Sequence, residues 1–482
     1  MVFSSQLFIF YFLPMALLVY YAAPRKARHL GLTLFSYLFY GWANPWFVLL
    51  MFGTTVADYV IGLWIAGAFG REEIPLLPAG GPRTRGQKLA LALSVVGNLS
   101  LLGFFKYFNF SVENYNALAS ALGVSSWQWE TTLRVTLPLG ISFYTFHELS
   151  YTIDVYRGDA RAFRSFIDFA CFVSMFPQLV AGPIIRFSEV AGQLQSRTHT
   201  AEKFARGVAM FSIGLSKKIL LANPCAKVAD VVFAAAPTGT LDSWYGLLAY
   251  AFQIYFDFSA YSDMAIGLGL MMGFMFAKNF DSPYQSASIT EFWRRWHISL
   301  STWLRDYLYV PLGGNRQGRA RTYVNLVVVM LLGGLWHGAA WTFVIWGAIH
   351  GGMLVVERAR GKTSFYEKLP RPVRVALTFT LVNLAWVFFR SNDLPSALAF
   401  VGRLFGIGAA HSGTALIGGL LYTPYYFGCF VLAGAVVWLA PQSWDWTRRL
   451  TWRRAVACTG LLWISLAVMV TQAYNPFIYF IF

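Results

Sequence analysis

The sequence predicts an all-α, polytopic integral membrane protein. Three observations carry this. The 482 residues are 57% hydrophobic and only 12% charged, whereas soluble domains carry about 25% charged residues. Apolar runs of about 20 residues, the length that crosses a bilayer as a helix, recur along the whole chain. The formal net charge of +16 is concentrated in short breaks between those runs.

The basic breaks are 25–28, 83–88, 157–164, 316–321, 358–374 and 448–454. The positive-inside rule assigns such loops to the cytoplasm. In a soluble protein this charge would point to nucleic acid; here loop orientation explains it, and no nucleic-acid partner is expected. The break 111–132 contains Glu113 and Glu130 but no Lys or Arg, and is expected outside. The apolar opening, MVFSSQLFIFYFLPMALLVYY, has its positive charge after it rather than before it. That order predicts a retained span entering from outside rather than a cleaved signal peptide.

One transmembrane domain covering 1–482 is expected. The candidate spans, in order, are 3–23, 30–50, 53–69, 88–108, 135–153, 166–185, 204–222, 243–275, 323–356, 373–390, 424–440 and 455–473. They imply about eleven crossings. Runs 243–275 and 323–356 exceed one perpendicular helix, so each is either one long tilted helix or two helices with a tight turn. The four cysteines, Cys171, Cys225, Cys429 and Cys458, form no CxxC pair and have no zinc spacing. Neither a disulfide framework nor a metal site is expected.

One stretch is unusually polar for such a chain. ITEFWRRWHISLSTWLRDYLYV (289–310) has helical periodicity, with Trp293, Trp296, Leu300, Trp303, Leu304 and Tyr307 on one stripe. Arg294, Arg295, Ser301, Arg305 and Asp306 lie off it. The spacing predicts one helix starting at Ser288, with Glu291 completing a capping box, and ending before Pro311. It is too charged to face lipid, so it belongs at the interface or in a protein-lined cavity.

His337 lies in LLGGLWHGAAW (331–341), well inside an apolar run. An ionisable residue at membrane depth is costly and marks function by default, as a general base in a buried cavity. The plainer alternative is a histidine hydrogen-bonded between helices. Gly333, Gly334 and Gly338 are expected to leave room for a ligand beside it, or else to serve tight helix packing. His297, at the border of the polar stretch, is a second candidate, with an interfacial aromatic belt as its alternative. His147 and His350 are expected to pack or hydrogen-bond. Asp257, Ser259, Tyr261, Ser262 and Asp263 could carry cations, protons or a sugar; a satisfied interhelical network is favoured. Gly313-Gly314-Asn315-Arg316 could touch a phosphate or a thioester cofactor but reads better as a loop after a helix. No G-x-S-x-G elbow, Walker A loop or G-x-G-x-x-G in a strand–helix setting is present.

Two blocks, EFWRRWHISLSTWLRDYLYVPLGGNR (291–316) and LLGGLWHGAAWTFVIWGAIHG (331–351), resemble the bacterial membrane-bound O-acyltransferases. PLGISFYTF (138–146), SYTIDVYRG (150–158), AGPIIRF (181–187), YFDFSAYSDMAIGLGLMMGF (255–274) and the closing NPFIYFIF are also similar. The nearest branch is the membrane subunit of alginate O-acetylation, whose relatives modify other exported polysaccharides and teichoic acids. Ala260 and His147 depart from the pattern, which has Gly and another polar residue there.

The resemblance implies a ring of tilted helices around a thinned central cavity. It implies His337 at the bottom of that cavity and His297 near its cytoplasmic mouth, as the catalytic pair. Arg294, Arg295 and Trp336 are expected to help hold the donor. That donor would be an acyl thioester, acetyl-CoA or an acyl carrier. The implied acceptor is an exported polysaccharide such as alginate, handled by periplasmic acetylation or export proteins, with the chain in the inner membrane. A transporter passing acyl groups to periplasmic transferases is the alternative from another class; a structural scaffold is a third.

Overall fold

A computed structural model describes the chain except residues 71, 130–132, 236–237, 362–363, 409–413, 473 and 478–482 and the side chains of 414–417. Glu130 and the end of the closing NPFIYFIF lie outside the described residues. Every regular element among the described residues is helical. The chain divides into two compact units, 1–200 with 272–276 and 201–271 with 277–482.

Among the described residues, four helices are long and apolar enough to cross a membrane: Trp46–Ala66, Arg85–Ala121, Arg371–Arg390 and Trp452–Thr471. Their outward faces are apolar. On the first, Trp46, Leu49, Phe52, Val56 and Val60 are all exposed at helical spacing. In water so long an apolar stripe would be a liability; against lipid it is the expected surface.

In the first unit the predicted spans 30–50 and 53–69 are cut differently. Helix Arg28–Gly41 ends, the chain turns at Asn44-Pro45, and helix Trp46–Ala66 follows. Asn44 Oδ1 accepts from the Trp46 amide at 3.1 Å, which stabilises the turn. The expected break at 111 is absent because Arg85–Ala121 runs on for 37 residues. The span expected at 166–185 is instead Phe166–Ser174 and a short turn Phe176–Leu179. Pro177 has no amide to continue the first helix, and Met175 is extended to accommodate it. Buried carboxylates here find donors on neighbouring helices. Asp58 accepts from Ser94 Oγ at 2.6 Å and Asn98 Nδ2 at 2.5 Å, and Glu148 accepts from Thr54 and Thr55. Such bonds replace the water that a membrane interior lacks. His147 is fully buried and packs on Phe172 at 5.6 Å between ring centroids.

In the second unit, the two long runs resolve in opposite ways. Residues 243–275 give one helix, Thr240–Met271, of 32 residues. Residues 323–356 give two, Gly318–His337 and Trp341–Ala359. Helix Ala201–Ser216 passes through a π-turn, Lys217–Ala222, into Asn223–Ala234. It lies against Thr240–Met271 at glycines: a Cβ on Gly207 would stand 2.6 Å from the Gly267 carbonyl oxygen, and one on Gly214 2.7 Å from that of Ala260. Glycine is what lets these backbones meet. The π-turn carries two lysines onto the carboxylates of the facing helix. Lys218 Nζ is 2.7 Å from Asp257 and Lys217 Nζ 2.7 Å from Asp263. The interhelical network expected around Asp257 and Asp263 is therefore an ionic one.

The polar stretch 289–310 is not one helix. It is Ile289–Arg295, then Ile298–Leu304, then a π-turn Arg305–Tyr309. The break falls on Trp296, which is extended, and His297, at φ +43°. The start at Ser288 is as expected, with the Glu291 amide donating to Ser288 Oγ at 3.0 Å, but the expected capping box is not completed, because the Glu291 carboxylate reaches one residue too far back. Glu291 itself accepts from the Ala287 amide at 2.8 Å.

Candidate active site

His337 is the last residue of its helix, and Gly338 is extended. Three residues later the next helix begins, so the imidazole sits at the apex of a tight helical hairpin. Glycines allow the hairpin to close. A Cβ on Gly334 would overlap the Phe343 carbonyl, one on Gly338 the Phe343 ring, and one on Gly347 the Met330 carbonyl. The expectation that Gly334 and Gly338 leave space for a ligand is overturned: backbone and ring of the paired helix fill it. Gly333 is different. It faces a cavity, and a Cβ there would meet only Leu304 at an ordinary 3.5 Å.

The cavity is about 550 Å³ and is lined by residues of both polar helices and both arms of the hairpin. Trp293, Leu300, Leu304, Leu326, Val329, Met330 and Trp346 give it apolar walls. Thr290, Ser301, Thr302 and Asn315 add hydrogen-bonding groups, and Arg294, Arg305 and Arg358 add positive charge. His337 opens into it and is half-buried. Its ring is wedged by aromatics at centroid distances of 5.0 Å to Trp336, 5.4 Å to Trp346 and 5.1 Å to Phe389. This packing limits the rotation of the imidazole.

His297 is placed otherwise. It is fully buried and does not line the cavity. Its Nδ1 lies 3.3 Å from Asn279 Oδ1, and its ring meets Phe258 edge-on at 4.5 Å. Asn279 also accepts from the Ser299 amide at 3.1 Å and Ser299 Oγ at 2.9 Å. Its carbonyl accepts from the Ile298 amide at 2.9 Å. The left-handed backbone at His297 costs about 1–3 kcal/mol in a non-glycine residue, and this group of bonds offsets it. Trp336, buried, lies between the two histidines, 6.2 Å from the His297 ring.

The two adjacent arginines diverge. Arg294 lines the cavity. Arg295 turns away, pairing with Glu291 at 2.8 Å and donating to the Asp281 carbonyl at 3.2 Å. Of the five residues singled out, His337 and Arg294 share the cavity; His297, Trp336 and Arg295 stand behind its wall. Sequence reading missed Trp346, Phe389 and Arg358 as parts of this site, and set Asn315 aside as a loop residue although it lines the cavity. Trp346 and Asn315 lie inside the two quoted blocks and were legible there as neighbours of the histidines. Phe389, on helix Arg371–Arg390, carried no local signal. His350 accepts from Trp293 Nε1 at 3.2 Å, in keeping with its expected hydrogen-bonding role.

A histidine lining a cavity between helices of a membrane protein, among apolar walls and arginines, is an arrangement suited to a membrane-embedded transferase. The sequence model of MBOAT, the membrane-bound O-acyltransferase family, matches residues 160–368, which include His297, His337, Arg294, Arg295 and Trp336. The chain is 45% identical to the probable alginate O-acetylase AlgI of Pseudomonas putida over the whole of both chains. It is 50% identical to that of Azotobacter vinelandii, covering 85% of this chain and 79% of the other. It is 38% identical to the peptidoglycan O-acetyltransferase of Helicobacter pylori, covering 84% and 80%. The chain belongs to the membrane-bound O-acyltransferase family. It is thus a multi-pass membrane enzyme, an O-acyltransferase that takes its acyl group from a donor.

Proposed function

We propose that this enzyme moves an acetyl group from a thioester donor, on the cytoplasmic side of the bacterial inner membrane, towards hydroxyls of an exported polysaccharide such as alginate. His337 is the general base. The observation that carries this reading is the half-buried His337 imidazole, locked by three aromatic rings and opening into the cavity. The printed activities of the relatives, alginate O-acetylase and peptidoglycan O-acetyltransferase, support the acetyl group and a polysaccharide acceptor.

The step balances simply. His337 takes the proton of the attacking hydroxyl, the oxygen bonds to the acyl carbon, and the carbon–sulfur bond breaks. The departing thiolate recovers the proton. Imidazole suits this exchange near neutral pH. Arg294, with Arg358 and Arg305, favours a donor with an anionic head, a property that acetyl-CoA shares with a phosphopantetheine-bearing carrier protein. Arg295 contributes through its pair with Glu291, which braces the helix that bears Arg294. Trp336 and His297 support the His337 ring from behind. Periplasmic acetylation or export proteins complete delivery to the polymer.

The test supplies acetyl-labelled CoA, and in parallel an acetyl-labelled carrier protein, to membranes containing the enzyme and polysaccharide. Label reaching the polymer from a thioester supports the reading. Label that crosses to neither polymer nor enzyme, with no thiol released, contradicts it.

A further inference from the structure

Glu357 lies outside the cavity and is almost fully buried, 3% exposed, near the end of helix Trp341–Ala359. Its carboxylate caps another helix. Oε1 accepts from the Ile289 amide at 2.8 Å, and Oε2 accepts from the Thr290 amide at 2.8 Å and from Thr290 Oγ1 at 2.6 Å. With Ser288 Oγ on the Glu291 amide, the first three amides of helix Ile289–Arg295 are all satisfied. A helix normally presents these groups to solvent or to a local cap. Here a residue about 70 positions away in the chain supplies two of the three acceptors.

The placement matters because of what the short helix carries. Thr290, Trp293 and Arg294 form one wall of the cavity, and Arg358, the neighbour of Glu357, forms part of another. Helix Trp341–Ala359 is itself locked to the His337 helix at Gly334 and Gly347. A second tie runs in the same direction, from Trp293 Nε1 to His350 Nδ1. The seven-residue helix is too short to hold its own position, since isolated helices of that length are unstable.

We propose that Glu357 is a positioning residue: it latches the Trp293–Arg294 wall to the hairpin that bears His337, and so sets the donor-binding width of the cavity. Its consequence for the reaction rests on the reading of the cavity as a donor site. The latch itself does not.

Hydrogen–deuterium exchange on the full-length protein in detergent, comparing wild type with Glu357→Gln and Glu357→Asp, reads the latch directly. Glutamine has the same shape but one acceptor oxygen, so peptides covering 287–296 in Glu357→Gln exchange about tenfold faster or more, the expected loss for a bond to a charged acceptor. Aspartate, which keeps both oxygens, recovers part of this protection. Peptides from helix Trp46–Ala66 are unchanged. Equal exchange at 287–296 in all three proteins overturns the latch. In acetyl transfer from whichever of acetyl-CoA or acetylated carrier protein the wild type consumes, Glu357→Gln raises KM about tenfold while kcat moves by less than about threefold. Faster exchange with unchanged KM overturns the positioning claim and leaves a structural cap. Arg294→Gln, assayed beside it, separates the two readings: an unchanged donor KM there defeats the donor site while the exchange result still decides the latch.

Discussion

Gly334 stands against the carbonyl oxygen of Phe343 so closely that a Cβ would overlap it. The glycines around His337 therefore hold two helices together, and the hairpin that results fixes the imidazole at the cavity. Gly334→Val forces the helices apart, and overpacking of this kind costs about 1–3 kcal/mol. The expected outcome is a lower thermal midpoint in detergent and less protein in the membrane. Gly333→Ala, which meets only Leu304, leaves the midpoint unchanged. A loss of stability at Gly333 equal to that at Gly334 would contradict this assignment.

Trp346 is the common support of two histidines. Its ring lies 5.4 Å from His337 and 4.9 Å from His350, and it stacks on Trp386 at 5.7 Å. Trp346→Ala leaves a cavity in a packed aromatic cluster, and such losses cost about 3–5 kcal/mol. Trp346→Phe keeps most of the volume. Acetylation is expected to fall with both, and protein level only with alanine. If phenylalanine restores full transfer, the ring does not orient His337.

How much of this was legible in the sequence depends on the physical source of each feature. Membrane class was legible because hydropathy is a property of every run. The cap at Ser288 was legible because Ser288 and Glu291 are a local signature. The break at His297 was not: it contains no glycine or proline, and it is imposed by Asn279, eighteen positions earlier, through contacts with His297, Ile298 and Ser299. The divergence of Arg294 and Arg295 was hidden for the same reason, since the broken helix re-aims each side chain. The lysine partners of Asp257 and Asp263 lay about forty residues upstream in an apolar run, and only the packing of two helices shows them to be pairs.

His297 has a backbone demand as well as a side chain. At φ +43°, asparagine is tolerated and a β-branched residue is not. His297→Asn is expected to reach the membrane at wild-type level, whereas His297→Val accumulates poorly. Membrane-fraction immunoblots check this. Equal accumulation of both variants would show that the left-handed turn is not required.

Arg294 and Arg295 separate binding from bracing. Arg294→Gln removes a cavity charge and is expected to raise the donor KM by about 10- to 150-fold, in proportion to a lost charge-assisted contact of about 1.5–3 kcal/mol. Arg295→Gln breaks the pair with Glu291 and is expected to lower the thermal midpoint with a smaller change in KM. Steady-state kinetics and thermal scans on the same preparations read both effects. The reverse pattern would place the donor on the other side of the helix.

The most direct measurement of the central claim is polysaccharide O-acetylation in membranes containing His337→Ala at a protein level matched to wild type. General-base loss removes about 100- to 10,000-fold of rate, so acetylation is expected to fall below detection while the protein remains folded and inserted. Retained acetylation at matched protein level would contradict His337 as the base.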